Sequence, residues 1–396
     1  MKIGFLGNTN NYPFMLARAF RRLGHDVVFI VTRLEALHRP EFRYADIGYP
    51  YPDWVREIVF STEAAYVTRS PARVEAVKTL RDCDFVVLND LGVSLAQSID
   101  RPYLAMLTGS DLSFYCDPAS EPRVLASMTT RNPLKRLFGK WLWRQILNRQ
   151  RAAVRRAPLI FHFDRGLVPE SDRLLDGLGV SDGQRLFFLM AEIVELQLAP
   201  FPQNDQLRLF CATRFTWKTP MLPGDSPLDF KGTDVMVRGM GLFWRKHRIE
   251  TDINLVRKGR HVAETVSLVD AEGLSGQVTW HAEMSQAEVW RQYALADLVF
   301  DQFGEGLVAM AGLEAMAAGR PVIANGRPEI MEPLLGEPSP ICQAKTPEEV
   351  CRELERLVGD SALRQELGLK SREWVKRHFN PERAAIQVLE RLQSYL

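Results

Sequence analysis

Three basic side chains and one acid stand out by their placement. Arg214 ends the apolar run LRLFCATRF at 207–215, Lys218 follows it, and Lys231 opens KGTD ahead of a helical pattern. A cation at a strand's end and another at a helix's start suit a pyrophosphate, which charge-assisted hydrogen bonds hold and stabilise as a leaving group. Further along, Ala296–Ala324 reads as strand, glycine loop, helix, turn and strand. Gly304 and Gly306 punctuate the loop, where backbone can approach a ligand closely. The run from Leu307 to Ala318 is apolar almost all round, as in a buried helix, and Gly319 and Pro321 close it. Its start would present unpaired amides and the positive end of a dipole, a ready anion site. Glu314 is the one acid inside the run, and a buried carboxylate is costly unless protein or ligand supplies donors.

LEAMAAGRPVI at 313–323 is similar to the donor-binding signature of the family 4 type retaining glycosyltransferases (group 1 glycosyltransferases), enzymes of GT-B fold. Their pattern is Glu-Gly-Phe-Gly-Leu-x-x-x-Glu-Ala-Met-Ala-x-Gly-x-Pro-Val. The resemblance implies that Glu314 binds the ribose hydroxyls of a nucleotide-sugar. The first Glu of the pattern falls on Gly306, with Glu305 one residue off register. Either Glu305 takes that role through a shift in the loop, or backbone amides at Gly304, Gly306 and Leu307 handle sugar and phosphate alone. The family's Gly-Arg-x-x-x-x-Lys-Gly-x-Asp matches at Arg214 and Lys231, which the resemblance assigns to the donor diphosphate. The usual Gly is missing before Arg214, and an insertion at 216–229 lengthens the gap, so Lys218 competes with Lys231 for the role. In the N-terminal half, where the family often carries His-Gly-x-Asp, this chain has Thr108-Gly109-Ser110-Asp111. Asp111 and Glu305 are therefore the catalytic candidates and Thr108 an acceptor-side one. The alternative for Asp111 is to cap the following helix.

The elements that must position these residues read as α/β. KIGFLG at 2–7, an amphipathic helix ending at Gly24 and DVVFIVT form a βαβ opening. Gly7, Asn8 and Asn10 lie where the sheet's crevice would be and are either cleft residues or ordinary turn formers. CDFVVLND at 83–90, PYLAMLTGSD at 102–111 and APLIFHF at 157–163 are further buried strands, while 39–62 reads as loop. The prolines of QLAPFPQNDQ at 197–206 mark a linker. Beyond it LRLFCATRF, INLVRKGRH and QVTWHAEM are strands, with Arg257 and Glu283 as loose candidates beside a nucleobase. Ser285 and Glu288 form a capping box. The expected fold is GT-B: two doubly wound (Rossmann-like) domains facing a cleft, with a C-terminal helix returning to the N-domain. The expected domains are 1–200 on the acceptor side, 205–378 for the nucleotide-sugar, and 380–396 as the returning helix.

Composition narrows the classes. The 396 residues suffice for two domains with their own cores. A net charge of +1 makes no global case for nucleic acid. Five cysteines without CxxC spacing argue against a disulfide framework or thiolate zinc site, and seven scattered histidines give little support to metal. The first loop is too sparse for the GxGxxG fingerprint of dinucleotide binding. No cofactor and no metal are expected, the nucleotide-sugar being a substrate. MKIGFLGN reads as a strand and not as a signal peptide, and the expected location is cytoplasmic.

Residues 131–156 hold nine Lys or Arg and no acid. With Leu134, Leu137, Trp141, Ile146 and Leu147 among them, they suit an anionic membrane surface. Lys135, Arg136, Lys140, Trp141 and Arg144 are the contact candidates. The alternative is a solvated basic face whose apolar side packs on the sheet. The activity implied is transfer of a sugar from a nucleotide-sugar to a hydroxyl acceptor, a glycan or glycolipid, with anomeric retention. The rivals are a phosphorylase or epimerase on the same fold, and a silent binding subunit.

Overall fold

The computed structural model describes residues 1–396 except 33–34, 128–131, 220–228, 394 and 396. Runs such as KIGFL and FVVLN carry no polar alternation, because a parallel sheet is covered on both faces. The first unit, Met1–Met190 with Pro381–Leu396, is built on β1 Lys2–Leu6, β2 Asp26–Val31, β3 Val55–Glu57, β4 Phe85–Asn89, β5 Tyr103–Met106, β6 Leu159–Phe161 and β7 Arg185–Leu186. The sheet order is β3-β2-β1-β4-β5-β6-β7 and every pair is parallel. The chain runs outward from β1 through β3, then returns to lay β4 on β1's other side. Doubly wound sheets bind ligands at such a switch point, beyond the strands' carboxyl ends.

The second unit, Ala191–Asn380, repeats the plan with β8 Leu207–Cys211, β9 Thr251–Val256, β10 Val278–His281, β11 Leu298–Phe300, β12 Val322–Ala324 and β13 Cys342–Gln343. The order β10-β9-β8-β11-β12-β13, again all parallel, puts its switch point between β8 and β11. Both sheets carry helices, and the fold class is the α/β one expected. Among the described residues no helix is long and apolar enough to cross a membrane.

Two differences from the sequence reading have physical causes. The 39–62 stretch is not all loop: Val55–Glu57 pairs with β2 as an edge strand, with only Val55 buried, too short to show a period. The division between units falls at Met190/Ala191, ahead of the proline segment. That segment is strapped to the second unit. Ala191 N–H donates to Phe379 O (2.9 Å), Arg372 to Leu196 O (2.7 Å) and Arg320 to Pro200 O (2.8 Å). The Pro220–Pro227 part of the insertion, like Arg131, lies outside the described residues. The last helix, Pro381–Leu392, belongs to the first unit. It packs on the Tyr12–Arg22 helix, joins Glu382 to Arg22, and buries Ala384, Ala385, Val388 and Leu392.

Candidate functional site

In the second unit the loops after β8 and β11 meet at the switch point. Thr213 Oγ1 donates to Asp301 Oδ1 (2.9 Å), and Asp301 Oδ2 accepts from Ala309 N–H (2.8 Å). Ala309 is the N-cap of the Met310–Ala317 helix, so Asp301 occupies part of the helix start that the sequence offered to an outside anion. A Cβ on Gly312 would lie 2.6 Å from Asp301 Oδ2, which is why that first turn carries a glycine. Burial pushes the Asp301 carboxyl upward, opposed by these donors and by Lys231.

Lys231 is knitted into the same loop. Its carbonyl accepts from Phe303 N–H (2.8 Å) and Gly304 N–H (3.2 Å), and its Nζ donates to Gln302 Oε1 (2.8 Å). Burial pulls its ammonium down, Asp301 works against that, and Arg214 adds to it. Gly304 is obligatory here: a Cβ would sit 2.1 Å from Phe230 O. Asn325 Nδ2 donates to Gly304 O (2.9 Å), and Gln302 Nε2 donates to Leu307 O. Arg214 is exposed beside this cluster. Lys218 is drawn elsewhere. It pairs with Glu264 (3.0 Å), while His261 Nδ1 accepts from Trp217 N–H (3.0 Å) and Lys218 N–H (3.2 Å).

Glu314 is 3% exposed, and its Oε2 accepts from Gln286 Nε2 (2.8 Å). Gln286 opens the Gln286–Leu295 helix directly after Ser285, whose capping box with Glu288 is present. Glu305 is exposed and tied to Arg327 (2.9 Å). Nothing at Gly306 reproduces an acid: the space a side chain would enter is taken by the Gln302 amide, 2.7 Å from where a Cβ would stand. Arg257 lies over the Trp280 ring (5.3 Å), and Glu283 is exposed. Thr213, Asp301, Gln302, Gln286, Asn325 and Arg327 were not picked out from sequence. Asp301-Gln302 could have been, being a polar pair at the carboxyl end of a buried strand.

The first unit gathers the other candidates beyond β1, β4 and β5. Gly7 (φ +93°) approaches β4 so closely that a Cβ would be 2.3 Å from Asn89 O. Asn8 is buried in turn work: its Nδ2 donates to Asn11 Oδ1 (2.7 Å) and His38 O (2.9 Å), and its Oδ1 accepts from Phe14 N–H (3.2 Å). Asn10 is exposed in a left-handed conformation. Asp111 is 2% exposed. Its carboxylate accepts from the N–H groups of Thr108 (2.9 Å), Gly109 (2.8 Å) and Leu112 (3.1 Å), and from Asn89 Nδ2 (3.3 Å). Burial, reinforced by Asp90, pushes its carboxyl up to about 6 against the pull of the Thr108 and Gly109 amides. So placed, Asp111 fixes the Thr108–Gly109 turn, and Thr108 is the more accessible of the two.

At the end of β6, His162 is buried near Arg185, and burial followed by that cation lowers its imidazole to about 4. The unfolded chain takes up this proton below about 6.5 while the folded chain resists, so stability is lost as pH falls from 6.5 to 4. Asp111 works in the opposite sense, since its folded carboxyl binds a proton from about pH 6 downward and the unfolded one only near 3.8. Each contributes about 3 kcal/mol over its window. His162→Leu should therefore gain stability relative to wild type between pH 6.5 and 4.5 in urea titrations. A pH-independent difference would show that His162 does not titrate in this way.

In the basic helix, Pro133–Arg156, the membrane candidates divide. Glu121 from a neighbouring helix pairs with Lys140 (2.8 Å) and Arg144 (3.5 Å). Lys135, Arg136 and Trp141 are exposed, as are Leu134 (74%), Leu137 and Phe138. Trp143, Ile146 and Leu147 turn inward and are buried.

Residues 228–374 match the family model described as Glycosyl transferases group 1. No curated protein matches the chain by sequence. Among solved structures it resembles Anabaena Alr3699/HepE in complex with UDP and glucose, at 14% identity over 100% of both chains with a TM-score of 0.62. It also resembles sucrose-phosphate synthase from Thermosynechococcus elongatus, at 15% identity over 100% of this chain and 99% of the other, TM-score 0.61. A third likeness is to a glycosyltransferase from Rickettsia africae, at 14% identity over 98% and 96%, TM-score 0.59. At these identities the likeness is one of fold, and that fold is GT-B.

Proposed function

We propose that this chain, a group 1 glycosyltransferase of GT-B fold, moves a sugar from a nucleotide-sugar to a hydroxyl acceptor with retention at the anomeric carbon. The observation that carries the reading is the cluster at the second unit's switch point, where Arg214, the half-buried Lys231 and a glycine loop lie together. When the glycosidic bond to the donor breaks, its electron pair and charge pass to the diphosphate. Arg214 and Lys231 stabilise that charge, and they do so without a divalent metal. Glu314, fixed by Gln286, accepts from the ribose hydroxyls. Backbone amides near Gly306 contact phosphate and sugar, in place of the acid the family carries there. Thr108 and the turn that Asp111 holds face the acceptor side.

The test is a thermal-shift panel of UDP, GDP, ADP and dTDP and their common sugars without added metal. UDP comes first, because the structures of Anabaena Alr3699/HepE contain UDP, UDP-glucose, or UDP with glucose. A ligand at a hundredfold its Kd stabilises by roughly 2.7 kcal/mol, a visible shift. No shift from any nucleotide would favour a silent binding subunit. Glu314→Ala should weaken the ligand that binds about 10- to 100-fold, the value of hydrogen bonds to a charged group. Calorimetry showing unchanged affinity would remove Glu314 from the site.

The acceptor we propose is a glycan or glycolipid of the cell envelope, reached from the cytoplasmic face by peripheral docking. Support comes from Leu134, Leu137, Phe138 and Trp141, exposed among Lys135 and Arg136. Each basic residue near an anionic surface adds on the order of 1 kcal/mol. The protein should float with phosphatidylserine-containing liposomes at low salt and release at high salt. Floating that survives the quadruple change of Leu134, Leu137, Phe138 and Trp141 to Ser would place the contact elsewhere.

A further inference from the structure

Gln302 has two partners of opposite kind. Its Oε1 accepts from Lys231 Nζ (2.8 Å), and its Nε2 donates to Leu307 O. An ammonium cannot accept and a carbonyl cannot donate, so the orientation of the amide is dictated by its surroundings. A carboxylate at this position would have no proton for Leu307 and would cancel the charge of Lys231. An apolar side chain would serve neither partner. Gly306 completes the arrangement, since a Cβ there would stand 2.7 Å from Gln302 Nε2 and press the amide off its carbonyl. The backbone is fixed as well, Gln302 O accepting from Asn325 N–H (3.0 Å).

We propose that Gln302 is the positioning residue of the donor site. It holds the flexible Lys231 side chain through a neutral acceptor, so that the ammonium is fixed in place for the donor diphosphate. Through the same amide it fixes the Gly306–Leu307 loop against Lys231. The inference rests on the reading of Lys231 as a diphosphate ligand. It also accounts for the departure at Gly306. The space in which the family's first acid would begin is used here by an amide reaching in from the preceding strand end, and any side chain at 306 would displace it.

The test is isothermal calorimetry with the nucleoside diphosphate that binds best in the panel of UDP, GDP, ADP and dTDP, and with the matching nucleoside. It compares wild type, Gln302→Leu, Lys231→Ala and the double variant. Gln302→Leu should weaken the diphosphate at least tenfold and leave the nucleoside unchanged within twofold. In the Lys231→Ala background it should add less than twofold, because the cation it positions is gone. Gln302→Glu keeps the acceptor and the shape, so it serves if Gln302→Leu does not fold, and it should lose at least as much diphosphate affinity. A wild type that binds none of the four diphosphates overturns the donor-site reading and this inference with it. A wild type that binds, with Gln302→Leu binding equally well, overturns the inference alone. So does an equal loss toward the nucleoside, or a loss that persists undiminished without Lys231.

Discussion

Lys231→Ala is expected to lower kcat/KM for sugar transfer by about a hundred- to a thousandfold, the range for removing one preorganised donor from developing charge. The effect should be large because Lys231 is prepared at some cost to itself. Its side chain is half-buried, which disfavours the ammonium, Asp301 opposes that loss, and Gln302 fixes the Nζ at one place by accepting its hydrogen bond. A cation held before the reaction needs no reorganisation when the diphosphate departs. Lys218→Ala is the internal comparison. Its ammonium already pairs with Glu264 on the side chain's exposed path, and an exposed pair of this kind is worth little. That variant should stay within about threefold of wild type. Measured side by side with the donor found in the panel, equal losses in the two variants would sink the assignment of Lys231 over Lys218.

The largest effect on stability is expected from Arg320→Leu, at roughly 4 kcal/mol. Arg320 is 1% exposed, and burial lowers its guanidinium to about 10. It donates to the carbonyls of Tyr293 (2.8 Å), Ala294 (2.9 Å) and Pro200 (2.8 Å), and its guanidinium lies over the Phe201 ring (5.4 Å). Leucine fills part of the volume but leaves several buried acceptors without a donor, and each such group costs about 1–3 kcal/mol. Differential scanning calorimetry should show a fall in Tm of about 10 °C or more. Hydrogen exchange should quicken at 196–202, the segment Arg320 straps down. A fall of under about 2 °C would mean that water replaces the guanidinium without loss.

How much could be read beforehand follows from how local each signal is. The buried strands were legible because a parallel sheet leaves uninterrupted apolar runs, and the glycine caps at Gly24 and Gly319 were legible because each takes a left-handed turn. Val55–Glu57 was not, since a three-residue edge strand has no room for a period. Lys231 and Glu314 are legible by spacing and resemblance, and they lie, half-buried and buried, at the second unit's switch-point loops and helix. Gln302 and Asp301 were not found, because their meaning lies in partners on other segments: Lys231, Thr213 and Ala309. Asp111 stands out by type and position, yet the three backbone N–H groups that donate to its carboxylate turn it inward, a fact no spacing carries. The basic helix illustrates the same limit. Its own sequence has no acid, but Glu121 supplies one in space.

The last helix has a consequence for synthesis on the ribosome. The second unit is one continuous segment, whereas the first is interrupted by it and receives Pro381–Leu392 only at the end. At about 5–20 residues per second, roughly 10–40 s pass while Ala191–Asn380 is made. Throughout that time the Tyr12–Arg22 helix lacks the partner that will cover it. The nascent first unit must therefore wait, sticky and incomplete, while the unit encoded after it can close first. A chain truncated after Asn380 should hold a protease-resistant second unit behind a first unit that is still cut.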